Sequence, residues 1–428
     1  MFNGADEQKC VAASLWRNAV AFFVLGLANN LPIPLMISAS EDIIKMQNNG
    51  INHQNANSST NSSNSYCIPD LDNPRCETLM STGAVLLANI LPSLTVKFTV
   101  SFFMNRIPFS FRHFLACLLQ ATSFLLVGFS TTMPMAFAGV ASTVSAWCFG
   151  TGASGMVSSV TYSALTEPKL LGMSPQNAIL IMLIVPTVYF LTYWLVLIHS
   201  PRMHKAQFLR PSSWIVPAIR RPNYSGQVYV TGNAVLDSKN GTTGGGTHEF
   251  TFLQKLKLIK PLLRYMLPIS SVYVLDFLIT SGLLQHVKFD CAHSFGLSLA
   301  SQFRWLQTFH VIGPFLARLS AIFVEMPSLI LYSLPFIMLA NLAIFFGQAL
   351  FSFIPHILFL FAITFFEGLL FGSGYNFFCK IHRKASAEVK EFSMTVITIG
   401  DSVGIALAAF LSILAHNSIC QLYPIIYP

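Results

Sequence analysis

The chain has 428 residues, of which 53% are hydrophobic and 10% charged, with a net charge of +8 and a mean hydropathy of +0.59. A soluble domain is about one quarter charged, so this composition excludes a globule covered by water; most of the surface faces lipid, and 38 Phe suit that solvent. The positive balance does not imply nucleic acid, because the basic residues lie in short runs between apolar segments, as cytosolic loops of membrane proteins do.

Residues 1–18 read as a cytosolic tail. Asp6, Glu7 and Lys9 precede the first apolar run without a basic leader or a small-residue cleavage site, so that run reads as a retained helix. A spanning helix needs about 20 apolar residues. Such runs fall near 19–39, 83–104, 111–131, 176–198, 262–285, 301–324, 328–350, 354–378 and 392–415. In the first of them Asn29 and Asn30 precede Leu31-Pro32, a place where the helix either breaks to expose backbone to a substrate or simply kinks.

The 40–82 stretch is rich in Asn and Ser and carries the acceptor patterns Asn57-Ser-Ser and Asn61-Ser-Ser, so it is expected to be a luminal loop glycosylated at Asn57 and Asn61. The stretch 133–166 is apolar, uncharged and rich in small residues, with Gly150, Gly152 and Gly155 in its middle. It is too long for one helix and barely long enough for two. The 199–261 stretch holds nine basic residues, from Arg202 to Lys260, against Asp237 and Glu249, and contains a Gly-rich tether at 241–246. It reads as a basic cytosolic linker and a surface for cytosolic partners. It divides an N-terminal helical bundle, 19–198, from a C-terminal bundle, 262–415, followed by a tail at 416–428. With the amino terminus in the cytosol, the charges balance across the bilayer if 133–166 crosses twice or re-enters.

Ionisable side chains inside spans need a reason to be there, because each one costs about 2.5–3.5 kcal/mol on insertion scales. Asp276, Glu367 and Asp401 sit within apolar segments, Arg304 and Arg318 flank the segment that holds His310, and Lys97 lies in Thr95-Val-Lys-Phe-Thr. Either these groups line a polar path for an anionic or zwitterionic substrate, with a carboxylate able to carry a proton, or they pair to hold helices together; Lys97 also has the option of snorkelling to the cytosolic face. Asp276 and Arg318 fall on adjacent segments as a possible pair. Gly368, Gly372 and Gly374 read as close helix packing. His293, Cys291 and Asp290 read as a solvated loop. The eight Cys lack paired spacing, so neither a zinc site nor a disulfide framework is expected, and no cofactor is indicated. Asp276 and Asp401 lack the Tyr-Asp and Gly-x-Gly-Asp settings of intramembrane aspartyl proteases, and no other catalytic motif appears, so an enzyme is not expected.

Several stretches together resemble the battenin family: Trp16-Arg-Asn-Ala-Val with Gly26-Leu-Ala-Asn-Asn, Ala84 to Pro92 with Lys97, Gln302-Phe-Arg-Trp-Leu-Gln, Glu367-Gly-Leu-Leu-Phe-Gly, and Glu391-Phe-Ser-Met running to Asp401-Ser-Val-Gly. Their order and spacing match from about residue 15 to the C-terminus. The resemblance implies an all-α polytopic membrane protein, major-facilitator-like, with two bundles and about 10–11 transmembrane helices. It also implies residence in late endosomes and lysosomes, export of glycerophosphodiesters, with or without protons, and a part in lysosomal pH and phospholipid catabolism. The chain departs from the family at 133–166, where most of a helix is missing. A membrane scaffold that recruits partners through 199–261 without transporting anything is the alternative reading.

Overall fold

The computed structural model describes residues 16–18, 20–28, 31–39, 42, 82–100, 109–129, 153–198, 252–323, 326–378 and 387–426. Asn29, Asn30, Asn57, Asn61, all of 133–152 and all of 199–251 lie outside the described residues. Every regular element among those described is helical. The elements are α1 (Trp16–Ala28), α2 (Pro32–Ser38), α3 (Thr82–Val100), α4 (Phe109–Gly128), α5 (Ala153–Thr166), α6 (Pro175–Val196), α7 (Phe252–Leu278), α8 (Leu299–Phe323), α9 (Ser328–Phe351), α10 (Ile357–Ser373) and α11 (Ala387–Ile426). Five helical stretches among the described residues are long and apolar enough to cross a membrane, and shorter apolar helices lie in α1, α3 and α4. Helix suits such a chain because hydrocarbon offers the backbone no partners, and a helix satisfies its own N–H and C=O groups.

The distribution of side chains is inverted relative to a soluble protein. Large apolar residues point outward, Leu329 at 84% and Phe336 at 75% exposure among them, while Asp276, Arg304, His310, Glu367 and Asp401 are buried. An outer surface of that kind has lipid as its solvent. α9 shows it on one helix: Leu331, Leu334, Met338 and Phe345 face inward and Leu329, Phe336 and Leu339 outward, with no charged residue on either side.

The helices form two halves. In the first, Leu35, Met36, Val85, Phe124, Tyr162 and Ile179 share one core. In the second, α8 packs closely on α10 and α7 on α11. Small residues set the α8–α10 approach, as the sequence indicated for Gly368 and Gly372. A Cβ at Gly368 would meet the carbonyl oxygen of His310, one at Gly372 would meet the backbone of Pro314, and one at Gly313 would lie 2.5 Å from the Gly368 carbonyl carbon. The halves join along two seams, α3 against α11 and α5 against α8. Leu86 and Ile90 pack on Ile405 and Ala409 in the first seam. Ser163 and Thr308 share a hydroxyl hydrogen bond of 3.0 Å in the second.

Several boundaries differ from those read from the sequence. α7 begins at Phe252, inside the stretch read as linker, and α11 runs from Ala387 to Ile426, well past 392–415. The starts of both helices, 252–261 and 387–395, lie outside the apolar spans, where hydropathy gives no signal, whereas the apolar span of α11 itself continues to Leu422. Within the awkward 133–166 stretch, Ala153–Thr166 is a single helix of 14 residues. The expectation of no disulfide framework is also corrected: Cys291 and Cys420 are each disulfide-bonded.

Candidate functional site

α7 does not end cleanly. After Leu278 it loosens into a π-helical turn, Ile279–Leu283, followed by a tight turn over Leu284–His286. Such a change of pitch leaves carbonyls without their usual helical donors, and in an apolar interior those must be met from elsewhere. The Gln307 amide donates to the Thr280 carbonyl at 2.8 Å. The Thr82 hydroxyl donates to the Ser281 carbonyl, and the Thr82 N–H donates to Gln285 Oε1 at 2.9 Å. Thr82 belongs to the first half, so the irregular end of α7 is also a junction between halves.

One turn before this irregularity stands Asp276, 1% exposed. It meets His310 of α8 and Glu367 of α10, both buried. His310 Nε2 lies 2.8 Å from Asp276 Oδ1 and 2.8 Å from Glu367 Oε2. The first contact has hydrogen-bond geometry, whereas neither oxygen of Glu367 has a hydrogen-bond partner. One imidazole N–H cannot point at both carboxylates. The three side chains also place one ligand atom each within 4.8 Å of one another, a spacing that a metal ion would accept. His286, His416 and Cys420 form a second such group, but the Cys420 sulfur is already committed to a disulfide.

Arg318 lies near this triad without touching it. Its guanidinium carbon sits 5.8 Å from the Phe371 ring centroid and 5.6 Å from that of Tyr375, and its Nε is buried without a partner. Phe371 in turn stacks on the His310 ring at 6.1 Å. Of the two arrangements open to Asp276 and Arg318, the direct ion pair is not formed. His310, two turns nearer the start of α8, takes the place beside Asp276, and Arg318 rests on aromatic faces, an arrangement that suits a weakly hydrated guanidinium.

The remaining charges bridge the halves. Lys97 Nζ lies 3.1 Å from Asp401 Oδ1 and donates to the Thr398 carbonyl at 2.8 Å and to Ser402 Oγ. At 2% exposure it is buried and does not snorkel. Arg304 Nη1 donates to Asp42 Oδ1 and Oδ2 at 3.1 and 2.9 Å, and Arg304 Nη2 donates to Ser301 Oγ at 3.0 Å. The Tyr162 hydroxyl donates to Asp42 at 3.0 Å, and Glu167 Oε2 stands 3.9 Å from Arg304. The two bridges lie toward opposite ends of the molecule: Lys97 is roughly 22 Å along α3 from Thr82 at 1.5 Å per residue, and Arg304 lies near the Thr82 end, at the start of α8.

The sequence candidates thus resolve into a triad of Asp276, His310 and Glu367, an aromatic-bound Arg318, and two bridges built on Lys97–Asp401 and Arg304. Asp276 and Asp401 belong to different clusters, the one beside His310 and the other beside Lys97. Asp42, Tyr162 and Glu167 were missed. Asp42 hid in a stretch read as loop and Glu167 just beyond an uncharged one; the only available signal was a carboxylate at the end of a span.

The CLN3 protein family model matches residues 20–144 and 141–422, and the two matches meet inside the shortened 133–166 stretch. The chain is 29% identical to battenin of Canis lupus familiaris, covering 96% of this chain and 92% of that one. It is 26% identical to protein btn-1 of Neurospora crassa, covering 94% and 88%. Among solved structures, a bacterial homologue of the human lysosomal transporter Spinster, inward-facing and unoccupied, aligns over 92% of this chain and 81% of its own with 10% identity and a TM-score of 0.48. A match that spans nearly the whole chain settles the ancestry: this multi-pass membrane protein belongs to the battenin family, whose model carries the description CLN3 protein.

Proposed function

We propose that the protein is a transporter of the lysosomal and late-endosomal membrane that exports glycerophosphodiesters, the phosphate-bearing remnants of phospholipid breakdown. The observation that carries the reading is Arg318. Among the described residues no carboxylate lies within ion-pairing distance of its guanidinium, and its Nε is buried and unpartnered. A cation kept from carboxylates and braced on Phe371 and Tyr375 is available to a phosphodiester oxygen through charge-assisted hydrogen bonds. The two bridges support transport by the same logic: ion pairs that join the halves at opposite ends can break alternately and open the interior to each side. In this reading the Thr82 end, which carries the disulfide-bonded Cys291 and Cys420, faces the lumen, where oxidising conditions keep such bonds. Asn57 and Asn61 are then glycosylated on that side, and 199–261 is cytosolic.

The test is uptake of radiolabelled glycerophosphocholine by proteoliposomes holding the full chain. Wild type accumulates label, and Arg318→Gln loses most of that uptake while unfolding at the wild-type temperature in detergent. No uptake by wild type would end the transporter reading. Undiminished uptake by Arg318→Gln would move the site elsewhere. Protease added outside sealed lysosomes is expected to cut within 199–261, and protection of that stretch would reverse the topology.

A further inference from the structure

We infer that Asp276, His310 and Glu367 form a proton-binding site, and that a proton enters it when an anion occupies Arg318. The inference rests on the phosphodiester reading for the identity of the anion, but the proton site rests on geometry of its own. Two carboxylates share one imidazole nitrogen at 2.8 Å each, and a single N–H serves Asp276 alone. Glu367 is left fully buried, with both oxygens lacking a hydrogen-bond donor. That makes Glu367 the group of the triad that gains most from taking up a proton, which would turn it from an acceptor without donors into a donor toward a neighbouring oxygen.

Charge balance says when the proton arrives. Among the described residues, the groups facing the triad are Asp276 and Tyr273 from α7, His310 and Arg318 from α8, Glu367 from α10, and Tyr375 just beyond it. α9 contributes no charged residue, and α11 contributes Asp401, which is held by Lys97. With His310 protonated and Arg318 bearing no partner, two cations balance two carboxylates. A phosphodiester bound at Arg318 takes up that guanidinium's charge and leaves the triad with one uncompensated negative charge in an apolar interior. Water then supplies one proton, an O–H bond forms at Glu367, and the loaded site is neutral again. Release of the anion from Arg318 restores the guanidinium charge and expels the proton. Phe371 lies between the two sites, in contact with the His310 ring and the Arg318 guanidinium, so the sites act on one another through charge rather than by sharing a ligand.

Two measurements on the full-length protein test this. Infrared difference spectra of the protein in lipid, taken between about pH 5 and 8, should show a protonated-carboxyl band that is lost in Glu367→Gln and whose midpoint moves in His310→Gln. This readout involves no substrate, so it stands or falls apart from the transport reading. Adding glycerophosphoinositol, a phosphodiester with no cationic headgroup, to protein in weakly buffered detergent should raise the pH of the medium by proton uptake, and Glu367→Gln should abolish that rise. A wild-type spectrum without a titrating carboxyl band overturns the proton site, and so does a band unchanged in Glu367→Gln. Zinc or manganese binding by wild type that removes the band at constant pH, and is lost in Glu367→Gln, would make this a metal site instead. A titrating band without substrate-linked uptake would refute the coupling to Arg318.

Discussion

Arg304 and Asp42, 262 residues apart in the chain, meet as a buried ion pair in which one guanidinium nitrogen donates to both carboxylate oxygens. One belongs to α8 of the second half and the other follows α2 of the first. Removing either partner strands a charge that water cannot reach, at a cost of about 3–5 kcal/mol. Arg304→Gln and Asp42→Asn should each lower the unfolding temperature in detergent, and the double substitution should recover much of the loss. Strictly additive losses would mean that the two side chains do not act on each other.

Lys97 and Asp401 make the same kind of bridge at the other end, with the Thr398 carbonyl and Ser402 completing the ammonium's partners. Lys97→Met alone should destabilise by a similar amount, roughly 3–5 kcal/mol, while Lys97→Met with Asp401→Asn should approach wild type. Thermal unfolding of the three variants decides it. A mild effect of Lys97→Met would show that Asp401 finds another cation.

The α5–α8 seam can be locked. Ser163 Oγ and Thr308 Oγ1 are 3.0 Å apart across the halves. Ser163→Cys combined with Thr308→Cys should cross-link under oxidant, seen as a shift in migration after cleavage of the chain between them. Transport should stop when the link forms and resume on mild reduction. Full activity in the linked protein would show that this seam never opens.

Gly368 tests the packing of α8 on α10. Its α-hydrogen faces the His310 carbonyl so closely that Gly368→Ala must push the helices apart, for at least about 1–3 kcal/mol of destabilisation. Gly155 is the contrast, since a Cβ there would meet Val311 at an ordinary 3.6 Å. Gly155→Ala should be neutral or slightly stabilising, because Ala favours helix over Gly by about 1 kcal/mol. Equal losses at both sites would refute the close approach.

The loosened end of α7 depends on Gln307 and Thr82 for its carbonyls. Thr82→Val keeps the shape and removes the donor to Ser281, so it should destabilise by about 1–3 kcal/mol. Hydrogen exchange at the end of α7 should quicken in the same variant. No change in either measurement would indicate that water reaches that turn.

Much of this molecule was legible in its residues. Apolar runs near 328–350 and 354–378 mark α9 and α10 almost to their ends, because a helix in lipid must be apolar along its whole length and the bilayer fixes that length. Isolated charges in such runs announced Asp276, His310, Glu367 and Arg318 as residues of interest, since hydrocarbon tolerates none without cause. Which charge met which was not legible. Asp276 faces His310 rather than Arg318 because α8 and α10 approach at Gly313 and Gly368, and that close approach sets the rotation of each helix. Lys97 finds Asp401, and Arg304 finds Asp42, across more than half the chain, through contacts between bundles that no local pattern records. Hydropathy is a property of single segments, so the sequence determined which helices enter the membrane; the pairing of their polar groups depends on helix rotation and depth against partners remote in sequence, and that only the tertiary structure decided.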